Sequence, residues 1–274
     1  MNCSIQHHRA TTSTRLPSVF VLVAAAVSLG AGVSSHADFA YSSQDLLLNI
    51  RPTDAGMGDP NLTVNLGSIS VYRDAQAPIL LNSRIDGSLE DIFGDLDNLG
   101  FSASAAETSN GGSAPRSSVW NTRARDNLYE VSVPWTRFSR LNSSQGGTAA
   151  KISSVGSGAR GNGSDISDTS TLTADGALWS YHSFIVDGDF RGSFQGNIEN
   201  YTGTGFSSAE FLRSDLFELL PGVGAATRLG FVEFQGNGDV WFVPDNLSAI
   251  PESSRTGLVA GAGVASQPSA CQSR

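Results

Sequence analysis

Histidine is scarce after the first 37 residues of this 274-residue chain, and this restricts the catalytic chemistry available to it. His182 is the one histidine in that part, so a zinc site built from several imidazoles is excluded. A Ser-His-Asp triad would have to use His182, yet the chain has no Gly-x-Ser-x-Gly motif to mark a serine nucleophile. His182 lies in a strand-like run between Tyr181 and Ser183, and we predict a structural or surface role for it.

Glutamates could supply the paired carboxylates of glycoside hydrolysis. The candidates are Glu130, Glu199, Glu210, Glu218 and Glu233. Glu218 and Glu233 lie in the last predicted strands and could face one another or a cleft, although acids in an alternating strand usually occupy its solvent face. No pair is flanked by aromatic residues. We therefore predict no catalytic residue and a non-enzymatic protein, with a glycoside hydrolase or polysaccharide lyase as the remaining enzymatic alternative.

Two acidic segments resemble fragments of calcium-binding loops, namely Asp165–Asp168 and Asp187–Asp189. Calcium needs six or more oxygen ligands, usually from several acids and a closing glutamate, and neither segment has that spacing. We predict turns at both places, and neither a metal nor a cofactor.

Aromatic side chains could form a sugar-binding surface, because an aromatic ring packs well on the apolar face of a pyranose. The candidates are Trp120, Trp135, Trp179, Trp241, Tyr129, Tyr181 and Tyr201. Each is more often a core residue than a ligand contact. A carbohydrate-binding module that acts on exopolysaccharide is an alternative function, and it requires at least two aromatic side chains exposed on one face of a sheet.

The first 37 residues have the pattern of a secretory signal peptide. Arg9 and Arg15 make the N-terminus basic, Val19–Val27 is apolar, and Ser35-His36-Ala37 offers small residues to a signal peptidase. An uncleaved anchor is the alternative, but the apolar run is short for a membrane span. We predict cleavage before Asp38, no stable transmembrane span afterwards, and a protein that is secreted or held at the cell surface.

The chain is acidic, with a formal net charge of −9 at pH 7. Lys151 is its one lysine, so the surface repels phosphate backbones and nucleic-acid binding is not expected. Cys3 leaves with the signal peptide and Cys271 lies near the C-terminus, so the mature domain has no internal disulfide. An exported protein without disulfides fits a bacterial envelope better than a eukaryotic secretory route.

Short apolar runs between turns predict an all-β domain, a β-sandwich or a jelly-roll-like fold, over residues 38–244. The predicted strands are Leu46–Ile50, Leu62–Leu66, a start at Ser70–Tyr72, Val119-Trp120, Leu128–Val133, Trp179–Val186, Asp215–Leu220, Leu229–Phe234 and Val240–Val243. The last two strands form a hairpin around the turn Gln235–Asp239. One or two short helices are predicted, at Ser88–Leu96 and Thr148–Val155. The longest predicted loops are Ser102–Ser118, Gly156–Ser170 and Ser193–Ser208, and Asp187–Gly192 is a predicted turn.

Several segments together resemble, in order, a family of exported Verrucomicrobia-type bacterial proteins that carry a PEP-CTERM sorting tail. These segments are Asp45–Arg51, Val64–Ser68, Leu89–Gly94, Trp120–Arg123, Asp215–Leu220 and Leu229–Phe234. The resemblance implies a signal peptide, a β-rich domain of uncharacterised role, and delivery to the envelope or the extracellular matrix. It carries no catalytic residues.

The tail, residues 245–274, departs from the PEP-CTERM pattern. Ser253 stands where the second proline of Pro-Glu-Pro is expected, Gly257–Ala265 is too short to span a membrane, and Arg274 alone replaces the usual arginine cluster. These departures argue against recognition by an exosortase. The tail is either degenerate or altered by a frameshift. We therefore expect a non-enzymatic envelope or extracellular-matrix protein, with exopolysaccharide or envelope components as partners.

Overall fold

Antiparallel strands make up most of the regular structure. The computed structural model describes residues 38–53, 59–85, 87–134, 141–174, 176–177, 180–186, 198–222 and 224–247. The strands are β1 (Asp45–Pro52), β2 (Pro60–Ser68), β3 (Ile79–Leu80), β4 (Leu99–Ala106), β5 (Val119–Ala124), β6 (Ser164–Asp165), β7 (Ser170–Ala174), β8 (Asn200–Tyr201), β9 (Phe211–Leu219), β10 (Thr227–Gln235) and β11 (Val240–Pro244). The helices are α1 (Ile69–Arg73), α2 (Leu89–Phe93), α3 (Leu141–Asn162) and α4 (Tyr181–Val186), with 3-10 turns at Asn82–Arg84 and Asp245–Leu247.

The eleven strands in the described part of the chain belong to one sheet, which is strongly curled. The strand order is β3-β11-β10-β9-β5-β4-β1-β2-β7-β6, and β8 pairs with β4 beside this path. Phe101 of β4 and Phe234 of β10 are separated by two strands, a spacing of about 14 Å in a flat sheet. Their ring centroids are nevertheless 5.1 Å apart. The two halves of the sheet therefore face each other, which confirms the all-β prediction and fits sandwich-like packing.

The inner face of the curled sheet encloses the main hydrophobic core. Alternate residues of every long strand point into it, as expected for strands with one buried face. The segment between β2 and β4 fills the space between the two halves. Tyr72 of α1 shows this: its ring meets the ring of Phe242 edge-on at 5.3 Å, and its hydroxyl donates to the Leu66 carbonyl at 2.9 Å.

A second layer lies on the outer face, where α3 and α4 cover part of the sheet. Ala149, Ile152, Val155 and Ala159 of α3 are buried in a smaller apolar cluster with residues of β1, β5 and β9. Gln145 of α3 ties this helix to the sheet by donating to the carbonyls of Ser117 and Leu219 at 2.7 and 2.9 Å.

The predicted first strands, the first helix and the final hairpin are confirmed. Leu46–Ile50 lies within β1 and Leu62–Leu66 within β2. In α2, the Ser88 side chain accepts from the Asp91 amide at 3.1 Å, and the Asp91 carboxylate accepts from the Ser88 amide at the same distance. Gly94 ends the helix with φ of 85°. The reciprocal cap explains why this short helix forms despite its glycine.

The prediction for the second helix was too short. It covered Thr148–Val155 and treated Gly156–Ser170 as a loop, whereas α3 continues to Asn162, and β6 and the first residue of β7 follow within the same stretch. Glycine and serine disfavour an isolated helix. Here, burial of one face against the sheet outweighs that weak propensity.

Three predicted strands were wrong. Ser70–Tyr72 lies in α1, because Ser68 caps a helical turn there by accepting from the Ser70 amide. Trp179–Val186 was predicted as a strand, but Tyr181–Val186 forms α4, whose Ser180 hydroxyl accepts from the Ser183 amide at 3.2 Å. Leu128–Val133 is irregular, because its backbone is held by side chains rather than by a neighbouring strand.

The predicted loops were only partly right. Ser102–Ser118 was expected to be a loop, but Leu99–Ala106 forms β4, in which every residue is buried. Small side chains suit that position, because both faces of the strand are covered. Ser193–Ser208 contains β8, which pairs with β4. The predicted turn Asp187–Gly192 lies outside the described residues.

No helix in the described part of the chain has the length and apolarity required to cross a membrane.

Candidate functional site

The outer face of β9, β10 and β11 carries a row of aromatic and polar side chains. Pairing places Trp241 of β11 opposite Glu233 of β10, and Glu233 opposite Arg213 of β9. Residues two positions away on the same strand share this face, because side chains alternate along a strand. The outer platform is our name for this set: Phe211, Arg213, Phe231, Glu233, Gln235 and Trp241.

The aromatic side chains of the outer platform reach the surface. Phe211, Phe231 and Trp241 are each partly exposed. By contrast, Phe234 and Phe242, which point to the inner face of the same strands, are fully buried. The hairpin therefore has one face that belongs to the core and one face that combines apolar rings with polar groups.

Hydrogen bonds and stacking order the middle of the outer platform. The Glu233 carboxylate accepts from Arg213 Nε at 2.9 Å and from Gln235 Nε2 at 2.7 Å. The Arg213 guanidinium carbon lies 4.8 Å from the centre of the Phe211 ring and 4.9 Å from that of Phe231. Contacts of this kind contribute about 0.5–1 kcal/mol each at exposed sites, so the side chains are held in place.

The dimensions and chemistry of the outer platform suit a sugar chain. Trp241 and Phe211 are separated by two strand spacings and two residues, about 12 Å. This separation has room for more than one pyranose ring. The apolar faces of sugar rings can pack on aromatic rings, while the partly exposed Gln235 can donate and accept hydrogen bonds. Glu233 is only 4% exposed, and it orders this surface through its bonds to Arg213 and Gln235.

Asp215 anchors the platform from beside Phe231. Its fully buried carboxylate accepts from Arg125 Nη2 at 2.7 Å, from Arg228 Nε at 2.9 Å and from the Ser132 amide at 2.7 Å. Burial alone would raise the pKa of Asp215, but the two arginines and the amide outweigh it and hold the pKa below its usual range. Arg125 and Arg228 also stack on Phe231, with guanidinium carbons 4.8 and 5.9 Å from the ring centre.

The segment from Leu128 to Val133 is held next to the sheet by Arg123 and Arg125. Arg125 Nη1 donates to the Leu128 carbonyl at 2.9 Å, and Arg123 Nη1 donates to the Val133 carbonyl at 2.8 Å. Tyr129 of this segment lies at the surface and is 74% exposed. The neighbouring Leu128 carbonyl also accepts from Arg213 Nη1 of the platform at 3.4 Å.

The structure does not bring Glu218 and Glu233 together. Glu233 pairs with Arg213, five positions along β9 from Glu218, which is about 17 Å. An odd separation also places the two acids on opposite faces of the sheet. On the inner side, Glu218 accepts from Arg73 Nη2 at 2.5 Å and from Trp120 Nε1 at 2.9 Å. The pair considered for glycoside hydrolysis is thus not a catalytic pair.

The other three glutamates do not form a carboxylate pair. Glu130 and Glu210 are exposed, and Glu210 accepts from the Ser207 amide at 2.6 Å. Glu199 is 1% exposed and accepts from Arg51 Nε and Nη2, both at 2.9 Å, and from the Tyr201 hydroxyl at 2.9 Å. Its position predicts a structural role.

The surroundings of Glu199 form a buried polar cluster on β1, β4 and β8. Burial lowers the pKa of Arg51, but the Glu199 hydrogen bonds and charge more than compensate and raise it. The Tyr181 hydroxyl lies 2.6 Å from the Ser102 hydroxyl. Burial, together with the nearby Glu199 charge, raises the pKa of Tyr181 well above its ordinary value. An acid, an arginine and tyrosines do converge here, yet Tyr181 is a poor base and Glu199 is inaccessible.

A pocket of about 370 Å³ lies between the β4–β5 loop and α3. Glu107 and Arg116 are the charged residues among those that line it. Burial would raise the pKa of Glu107, but hydrogen bonds from Ser109, Gln44 and Ser43 lower it below its usual value. Because these bonds join the β4–β5 loop to the residues that precede β1, we interpret the buried Glu107 carboxylate as an organiser of the loop.

The aromatic residues considered for sugar binding differ in their exposure. Trp120 and Tyr181 are buried, whereas Tyr129, Tyr201 and Trp241 are exposed or partly exposed. Trp135, Trp179 and the segment Asp187–Asp189 lie outside the described residues.

The candidates Asp165, Asp168 and His182 make structural hydrogen bonds, through the side chain of Asp165 and through the backbone of the other two. Asp165 accepts from the Phe39 amide at 3.1 Å, and the Asp168 carbonyl accepts from the Ala40 amide at 3.1 Å. The His182 amide in α4 donates to Asn61 Oδ1 at 3.0 Å. Within the ranges that the structure describes, no three His, Cys, Asp or Glu side chains are grouped to hold a metal ion.

Sequence reasoning missed most of the outer platform, because it considered only tryptophan and tyrosine as stacking groups. Arg213, Phe211 and Phe231 were not singled out. The sequence did contain a signal. In both Phe211–Asp215 and Phe231–Gln235, every second residue is aromatic or polar, so these residues share one face of a strand.

Comparison with known proteins found no matching family model, no matching curated protein and no matching solved structure.

Proposed function

We propose that this protein is a non-enzymatic, exported protein of the bacterial envelope or extracellular matrix that binds polysaccharide through the outer platform. The observation that carries this proposal is the row Trp241–Glu233–Arg213, flanked by Phe211 and Phe231 on one face of the final strands. Exposed aromatic faces beside a fixed polar side chain, here Gln235, are the groups that recognise a sugar.

The environment of the acidic residues supports a binding role over a hydrolytic one. Glu218 and Glu233 lie on opposite faces of the sheet, and Glu199 is buried against Arg51. Each of these carboxylates accepts hydrogen bonds from arginine. The sequence supports export through the signal-like segment of residues 1–37.

Glycan binding is tested with the full chain and with variants of Trp241. In affinity gel electrophoresis with soluble polysaccharides, we expect retardation of the wild type by at least one polysaccharide. Trp241→Ala should weaken binding about tenfold, because one stacked ring contributes about 1.5 kcal/mol. Trp241→Phe is the matched control, since it keeps an aromatic face, and it should retain most of the affinity. Equal binding by the wild type and by Trp241→Ala would exclude the outer platform as the binding surface.

Export is tested separately by expression in a Gram-negative bacterium followed by fractionation. We expect the processed protein outside the cytoplasm, with an N-terminus at Asp38 in mass spectrometry. Recovery of the full-length chain in the cytoplasm would contradict the proposed location.

A further inference from the structure

The charged groups of the outer platform and its surroundings balance one another. Arg213 pairs with Glu233 at 2.9 Å, and Arg125 pairs with Asp215 at 2.7 Å. Arg228 bridges Asp215, at 2.9 Å, and Asp245. Three guanidinium groups thus face three carboxylates, and each arginine already has an acidic partner.

The turn end of the platform adds negative charge. The β10–β11 turn contains Asp239, and Glu210 precedes β9 next to Phe211. Glu210 is exposed and Asp239 is partly exposed. An anionic polymer that approaches Phe211 and Gln235 would therefore meet like charge on a molecule with a formal net charge of −9.

We infer that the outer platform selects neutral polysaccharides and discriminates against uronate-containing or sulfated ones. This inference rests on the proposed function and specifies the substrate class of the same surface. A neutral chain can use the partly exposed rings of Trp241 and Phe211 and hydrogen bonds to Gln235 without disturbing the ion pairs. An acidic chain would have to compete with Glu233 for Arg213, which leaves a carboxylate unpaired and costs free energy.

The test compares gels that contain a neutral β-glucan or galactomannan with gels that contain alginate or polygalacturonate. We expect retardation of the wild-type chain in at least one neutral gel, changed less than about twofold by added NaCl, because ion pairing with the ligand is not required. Retardation by anionic polymers alone, lost as salt is raised, would overturn the inference while leaving glycan binding intact. Failure to bind any glycan in either gel type would instead overturn the proposed function.

A charge variant tests the physical cause of the selectivity. Glu233→Gln keeps the size of the side chain but removes the acidic partner of Arg213, so we expect it to gain retardation by alginate at low salt. The matched control, Glu210→Gln, also removes one negative charge but leaves the Arg213–Glu233 pair in place, and it should gain less. Circular dichroism verifies that both variants fold. Equal behaviour of the two variants in alginate would show that pairing of Arg213 does not set the selectivity, which would overturn the inference.

Discussion

Asp215, beside the outer platform, accepts hydrogen bonds from two arginines and a backbone amide. Its buried carboxylate holds Arg125 and Arg228 over Phe231 and fixes the backbone at Ser132. Arg125 and Arg228 are held over Phe231 by charge-assisted hydrogen bonds, and these require an ionised Asp215 carboxylate. A single residue therefore links the core of the sheet to the position of the exposed rings.

Asp215→Asn should destabilise the protein and weaken its pH dependence. The substitution leaves two guanidinium groups without their buried anion, which costs about 3–5 kcal/mol. Because the folded-state pKa of Asp215 is lowered, its contribution is present above the unfolded pKa of about 3.9 and is lost as pH falls through the folded-state pKa. Urea unfolding between about pH 7 and pH 2 should thus show a smaller loss of stability on acidification in the variant.

The exposed residue Asp74 provides the control, and Asp74→Asn should follow the wild type. An acid-induced loss of stability in Asp215→Asn as large as that of the wild type would contradict the assignment of an ionised, paired Asp215.

The β10–β11 hairpin depends on close backbone packing at its turn. Gly238 adopts φ of 86°, a conformation that glycine tolerates best. Gly236 donates its amide to the Glu210 carbonyl at 2.9 Å, which fixes the turn against the start of β9. The contact leaves no room for a side chain, since a Cβ at Gly236 would lie 1.8 Å from the Ser207 carbonyl oxygen.

Gly236→Ala should therefore lower the free energy of unfolding by about 1–3 kcal/mol, the cost usual for overpacking. Gly203→Ala is a suitable control, because a Cβ there meets no atom within 4 Å, and we expect a change within about 0.5 kcal/mol. Urea denaturation gives both values. Equal effects of the two substitutions would indicate that the turn moves freely away from Ser207.

The part of the chain that the structure describes is organised by the curl of its sheet. The inner core combines side chains from β1, β2, β4, β9, β10 and β11, so neither half of the sheet can bury its apolar face alone. The described residues all lie in one compact unit. This arrangement predicts cooperative unfolding of the two halves.

Phe101→Ala tests this cooperativity. The substitution removes a fully buried ring that contacts Phe234 across the curl, and it should cost about 3–5 kcal/mol. Far-UV circular dichroism and tryptophan fluorescence should shift to lower urea concentration together, with one midpoint. The wild type should also show coincident transitions. Two separated transitions would mean that the halves of the sheet unfold independently.

Local sequence patterns correctly predicted the strands and helices that are specified by residues close together in the chain. Leu46–Ile50 is a continuous apolar run, and it forms a buried strand. The Ser88 cap and its Asp91 partner, three residues apart, define α2. Patterns failed where burial competes with propensity: the glycine-rich sequence of α3 disfavours a helix, and burial of one helix face against the sheet outweighs this. They also failed at β4, whose small polar residues resemble a loop until both faces are covered.

The amino-acid sequence by itself determined the acidic charge, the scarcity of histidine, the basic and apolar pattern of the first 37 residues and the alternation that makes this chain β-rich. These properties depend on residue type and on neighbours along the chain. Only the tertiary structure decided which acids meet arginines, that Glu218 and Glu233 point to opposite faces, and that Trp241 shares a surface with Phe211 and Arg213. Strand register sets such pairings, and a shift of one residue would turn every side chain to the other face.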